Sequence, residues 1–152
     1  MILYFDMDGT IANLYAVENW LPMLRAEDPT PYANARPMVN MSYLARLLNQ
    51  ARRKGYRIAV LSWLSKESSP EYDAAVTSAK LAWLKKHLPS VEWDEIFIVP
   101  YNTPKWEYGA HSNVLFDDEA HNREDWETFG GGIAFDASEM LTVLKDLVRS
   151  AK

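Results

Sequence analysis

The sequence predicts an α/β fold, a three-layer α/β/α Rossmann-like sandwich on a parallel sheet. Three observations carry this. Short apolar, β-prone runs alternate along the chain with segments of helical periodicity. The first run, Ile2 to Phe5, is continuously apolar, as suits a strand buried on both faces. Three of the runs stop at polar residues of matching character: Asp6 and Asp8, then Ser62, then Asp117 and Asp118. In an open parallel sheet those ends converge on one edge, and ligands bind there.

The elements follow in order. After the first strand, Glu18 to Arg25 predicts a short helix limited by Pro22, and Asp28 to Pro37, with three prolines, predicts a loop. Ser42 to Lys54 predicts a helix, because Leu44, Leu47, Leu48 and Ala51 recur at helical spacing and Gly55 follows as a stop. Tyr56 to Leu61 predicts the second strand, ending at Ser62. Ser69 is an N-cap candidate with Pro70 at the first helical position. That helix is expected to run to about Leu88, with Leu81, Leu84 and Leu88 on one face. Strands are expected at 95–99, 113–116 and 132–135, and a closing helix from Ser138 to about Ser150.

A length of 152 residues fits one domain, 1–152, with a core of its own. The net charge of −5 argues against a broad basic surface for duplex nucleic acid, yet leaves room for a small phosphate-ester site. The absence of cysteine excludes disulfides, thiolate catalysis and cysteine-based zinc sites. No basic segment leads into an apolar stretch at the N-terminus, and no apolar run reaches membrane-span length. The expectation is a cytoplasmic protein with no membrane partner, monomeric or homodimeric.

Carboxylates gathered at one sheet edge repel one another and need a cation or protons. Without cysteine, oxygen ligands favour a hard ion such as Mg²⁺. One carboxylate can serve as nucleophile, and a neighbour as general acid and then base. A serine hydroxyl and a lysine ammonium can hold the oxygens of a transferring phosphoryl group. Ser62 offers the hydroxyl and Lys105, shortly after the third strand, the ammonium; Lys80 on the long helix is the alternative lysine. His87, His111 and His121 have no metal-ligand spacing, and Gly130 to Gly132 reads as a turn because the phosphate-loop lysine pattern is missing.

The order Asp6-Met7-Asp8-Gly9-Thr10, then Ser62, then Lys105, then Phe116-Asp117-Asp118 resembles the four motifs of the haloacid dehalogenase-like phosphohydrolases, over essentially the whole chain. The resemblance implies a Mg²⁺-dependent phosphomonoesterase. Asp6 would be the nucleophile that forms an aspartyl-phosphate, and Asp8 the acid and base. The metal would be held by the Asp6 side chain, the Asp8 carbonyl oxygen and Asp117, with Asp118 in support. Ser62 and Lys105 would bind phosphoryl oxygens. Gly9, Thr10 and Trp63 would complete the phosphate and substrate site. Within the family the chain looks most like the small 5'(3')-deoxyribonucleotidases, through Lys80 to His87, the lysine after Ile96 to Val99, and the Asp117-Asp118 pair. It departs from them at Thr10, at Trp63 and in a shorter insert.

That family carries a substrate-selecting cap after its first motif, here about residues 14–41. Tyr15, Trp20, Tyr32 and Tyr43 could stack on a nucleobase or simply pack the cap on the core. The leading substrate class is a small phosphate ester, with a nucleoside (deoxy)monophosphate first. The competing readings are a polynucleotide 3'-phosphatase, which the acidic balance disfavours, and a non-catalytic ligand-binding or regulatory protein on the same scaffold.

Overall fold

The apolar N-terminal run becomes the central strand of the sheet. The computed structural model describes residues 1–150. Its elements are β1 (Ile2–Phe5), β2 (Ala12–Asn13), α1 (Trp20–Arg25), α2 (Thr30–Asn34), β3 (Arg36–Pro37), α3 (Met41–Arg53), β4 (Arg57–Trp63), α4 (Pro70–His87), β5 (Glu95–Val99), β6 (Val114–Phe116), α5 (Ala120–Thr128), β7 (Ile133–Phe135) and α6 (Met140–Ser150). Single tight turns of helix add Leu14–Ala16, Lys105–Tyr108 and Ala137–Glu139.

Five strands form one sheet in the order β5-β4-β1-β6-β7, each parallel to its neighbours. The chain winds from β1 out through β4 to β5, then crosses back to build β6 and β7 on the other side. That reversal opens a crevice beyond the carboxyl end of β1, the place where such sheets bind ligands. Side chains alternate along β1. Leu3 and Phe5 enter a core with Leu44, Leu48, Val60, Leu84 and Leu144, so α3, α4 and α6 cover that face. Tyr4 points the other way, into a cluster with Ala59, Leu61, Leu115 and Trp126, so α5 covers the opposite face. The three-layer α/β/α architecture is the one the sequence predicts. Among the described residues no helix is long and apolar enough to cross a membrane.

Several local expectations are corrected. The stretch from Asp28 to Pro37 is not a plain loop; it holds α2 and β3. Pro31 falls in the first turn of α2, where no intrahelical N–H is needed. The Asp28 carboxylate accepts from the Thr30 amide at 2.9 Å and also from the Thr30 hydroxyl, which holds it below the usual carboxylate range. β3 pairs antiparallel with β2 over two residues each, too short to leave a periodicity. The second strand runs on to Trp63, paired with Val99, so Ser62 lies inside β4 and not past its end. Helix α5 is absent from the predicted elements because it is polar throughout, burying only Asn122 and Trp126. Helix α3 begins at Met41, one residue before the expected Ser42, and Asn40 caps it by accepting from the Tyr43 amide at 2.9 Å.

Helix α4 shows the most instructive difference. Ser69 caps it and Pro70 begins it, as predicted. Its buried face is Tyr72, Val76, Lys80, Trp83 and Leu84, while Leu81 is 38% exposed. The inward stripe at i, i+4, i+8 therefore contains a lysine. This helix also fastens the 14–41 segment. Trp83 Nε1 donates to the Ala35 carbonyl at 2.7 Å, and the Tyr72 hydroxyl donates to the Asp28 carbonyl at 2.9 Å. The Ser69 amide and hydroxyl donate to the Glu27 carboxylate. Leu14 and Tyr32 pack against Tyr72 and Val76 beneath these bonds.

This assignment of the buried face is testable by denaturant unfolding. Leu84→Ala is expected to cost about 2–5 kcal/mol, as a buried leucine does, whereas Leu81→Ala should stay within about 1 kcal/mol.

Candidate active site

Asp6 is the first residue past β1. Its amide donates to the Phe116 carbonyl at 3.0 Å, which fixes it to β6. The chain then turns tightly: the amides of Thr10, Ile11 and Ala12 all point to the Met7 carbonyl at 3.0 Å. Gly9 makes the turn possible with a φ of +82°. A Cβ there would lie 2.2 Å from Asp118 Oδ2 and 2.9 Å from the Tyr15 ring, so two site residues close over the bare backbone. The buried Thr10 hydroxyl donates to Asp6 Oδ2 at 3.1 Å.

Two lysines enter this region, each almost fully enclosed. Lys105, in the turn before β6, donates to Asp6 Oδ1 at 2.9 Å and Asp117 Oδ2 at 2.7 Å. Its ammonium lies 5.2 Å from the centre of the Trp63 ring, which is held in place by an indole N–H bond to the Thr103 carbonyl. Lys80, from α4, donates to Asp8 Oδ2 at 2.9 Å, to Ser62 Oγ at 2.7 Å and to the Trp63 carbonyl at 2.7 Å. Asp117 is further anchored by the Glu119 amide at 2.9 Å and Asn122 Nδ2 at 3.2 Å.

Asp6, Asp117 and Asp118 each offer a carboxylate oxygen, all within 4.8 Å of one another, and could hold a metal ion. The donor set is oxygen only and suits a hard cation. The Asp8 side chain turns instead to Lys80 and is not one of these three. Electrostatics agree with a cation site. Burial, then the charges of Asp6 and Asp117, push the Asp118 carboxyl up to about 8. Burial and Asp6 push Asp117 up to about 6, against the opposing pull of Lys105. Asp8 is raised, first by burial and then by Asp6, with Lys80 opposing. Burial alone would lower Lys105, but Asp6 and Asp117 outweigh it and raise it.

These groups floor a cavity of about 460 Å³ at the carboxyl edge of the sheet. Asp6, Asp8, Trp63, Lys105, Asp117 and Asp118 line it, as do Tyr15, Trp20 and Tyr32 from the 14–41 segment. Four other candidates lie elsewhere. Ser62 is fully buried in β4, its hydroxyl engaged by Lys80 and not facing the cavity. Gly9 and Thr10 shape the turn from behind. Tyr43 lies on α3 beneath Arg46, beside a separate arginine-rich groove that contains none of the clustered carboxylates. The cavity wall also includes Ser65, Tyr101, Asn102 and His121, none of which is among the predicted site residues, together with Lys66, a competing candidate for a phosphate role, and Asn122, a candidate for a supporting one. Tyr101 and Asn102 follow the end of β5, so the strand-end rule that selects Asp6 and Asp117 would have reached them.

The raised acids fix a sign for the pH dependence. Unfolded, Asp117 and Asp118 ionise near 3.8; folded, they keep protons to about 6 and about 8. The folded chain thus binds more protons in between, and their contribution to stability falls as pH rises from about 4 to about 8. Thermal melts should show Asp118→Asn losing the upper part of this slope. Added Mg²⁺ should raise the wild-type midpoint more at pH 8 than at pH 5, since it competes with those protons.

No protein-family model matches the sequence, and no curated protein does. Among solved structures, the D,D-heptose 1,7-bisphosphate phosphatase from Burkholderia thailandensis superposes with a TM-score of 0.57 at 12% identity, covering 95% of this chain and 97% of that one. At that identity the likeness speaks for the backbone plan alone: the two chains share one α/β fold, a parallel sheet covered by helices on both faces.

Proposed function

We propose that this protein is a Mg²⁺-dependent phosphomonoesterase that works through an aspartyl-phosphate on Asp6. The observation that carries the reading is the pairing of Asp6 and Asp8 at the end of the central strand, each held by its own buried lysine at the floor of one cavity. A binding module has no need of both. The shared fold with a phosphatase supports the same reaction class.

A carboxylate oxygen of Asp6 attacks phosphorus, and the ester bond to the leaving oxygen breaks. Asp8 gives its proton to that oxygen. As carboxylate, Asp8 then takes a proton from water, which attacks the acyl-phosphate and restores Asp6. Lys105 offsets the negative charge around Asp6 as phosphoryl oxygens approach. The gathered carboxylates of Asp6, Asp117 and Asp118 would hold Mg²⁺, which supplies charge stabilisation for the transferring group.

The chain is read as a single domain in which 14–41 acts as the cap. Tyr15, Trp20, Trp63 and Tyr101 give the cavity an aromatic wall, and Leu14, Leu21 and Leu24 an apolar one. Such a wall favours a planar, weakly polar leaving group over a polyhydroxylated sugar. A nucleoside monophosphate fits it best, and a 5'-nucleotidase is the specific activity proposed.

Phosphate release from a panel of deoxy- and ribonucleotides, sugar phosphates and a 3'-phosphorylated oligonucleotide tests this. Nucleoside monophosphates should rank first and chelator should stop turnover. Asp6→Asn should cost at least about a thousand-fold in kcat. Trp20→Ala should raise KM for the best nucleotide about ten-fold, the loss of one stacking face. Preference for sugar phosphates or the oligonucleotide would overturn the nucleotidase assignment, and no release from any member the hydrolase reading itself.

A further inference from the structure

We infer that Lys80 is a positioning residue that orients the proposed acid–base group Asp8, and that it does not bind phosphate. The inference rests on the phosphatase reading above and adds a component to it.

An ammonium has three N–H donors. Those of Lys80 meet three acceptors, Asp8 Oδ2, Ser62 Oγ and the Trp63 carbonyl, at 2.9, 2.7 and 2.7 Å. None is left for a substrate oxygen. The side chain is 1% exposed and does not line the cavity, and the Tyr32 ring closes over it with its centre 5.1 Å from the nitrogen. Lys105 differs on each point that matters: it lines the cavity and sits between Asp6 and Asp117.

Two of the three acceptors belong to β4, so the ammonium is pinned to the sheet before it touches Asp8. The Asp8 carboxylate projects from the turn after β1, and its side chain keeps partial access to the cavity. With Oδ2 taken as an acceptor by Lys80, the proton that passes to the leaving oxygen sits on Oδ1. The lysine thereby selects the oxygen and fixes its direction. A purely structural position would not call for it. The rest of the stripe is Tyr72, Val76, Trp83 and Leu84, and an apolar side chain there would pack without the cost of burying a charge.

The discriminating readout is leaving-group dependence. p-Nitrophenolate departs without a proton, whereas the alkoxide of a nucleoside 5'-monophosphate needs one. Comparing kcat/KM for both esters isolates the steps up to departure, so later hydrolysis of the acyl-phosphate does not enter. In Lys80→Met, kcat/KM for the nucleotide is expected to fall about 100-fold, within the range of general acid catalysis. For p-nitrophenyl phosphate it should stay within about three-fold. Lys80→Gln keeps a donor for the buried carbonyl and should show the same ratio in weaker form, which preserves the test if the methionine variant does not fold. Equal losses on both esters, with wild type active and Asp6→Asn dead, would overturn the role of Lys80 alone. Wild type turning over neither ester would overturn the phosphatase reading and this inference with it.

Discussion

The architecture depends on one electrostatic constraint: four aspartates meet at the end of a strand buried on both sides. Asp6, Asp8, Asp117 and Asp118 all line one cavity, and two enclosed ammonium groups reach them from opposite directions. Four carboxylates against two lysines leave an excess of two negative charges when all are ionised, which is the charge of one divalent cation. The fold supplies the means of assembly. β1 brings Asp6, and the turn after it Asp8; the switch in strand order brings β6 and the Asp117 pair alongside; α4 and the turn before β6 deliver the lysines. Removing either lysine leaves buried carboxylates without their partner, so the cluster is coupled to the stability of the core.

What the sequence reveals depends on how each contact is made. Asp6, Asp117 and the strands before them are legible because a buried parallel strand is a continuous apolar run and its polar stop stands out. Ser62 misleads for a related reason: β4 runs two residues past its last aliphatic residue, and a serine inside a strand looks like one that ends it. Lys80 stands out in the sequence as the alternative lysine, but its place on the buried face of α4 is hidden by charge. A lysine on a helix counts as solvent-facing in any periodicity, so the inward stripe of α4 is drawn through Leu81 when it runs through Val76, Lys80 and Leu84. Helices α2 and α5 escape because one turn held by an aspartate, or a polar helix burying a single tryptophan, has almost no hydrophobic period to detect.

At 12% identity, the shared backbone plan with a sugar-bisphosphate phosphatase separates what the scaffold determines from what the side chains determine. The scaffold fixes the sheet edge at which the carboxylates gather. The side chains decide what fits. Here the wall includes tyrosines and tryptophans beside leucines, with Tyr15 and Trp20 set edge to face at 5.0 Å and Trp63 and Tyr101 at 5.2 Å. Each pair is set at the edge-to-face geometry aromatic rings favour.

The bonds from Trp83, Tyr72 and Ser69 to the 14–41 segment carry a consequence for access. Three attachment points spread along α4, from its N-cap to its fourth turn, tie Glu27, Asp28 and Ala35 of that segment to the core. The rim of the opening on that side, Tyr15 and Trp20 included, is carried on a segment tied to the core through its own later residues. Exchanging rim side chains one at a time would change the width and chemistry of that opening while the carboxylates of its floor stay where the sheet puts them.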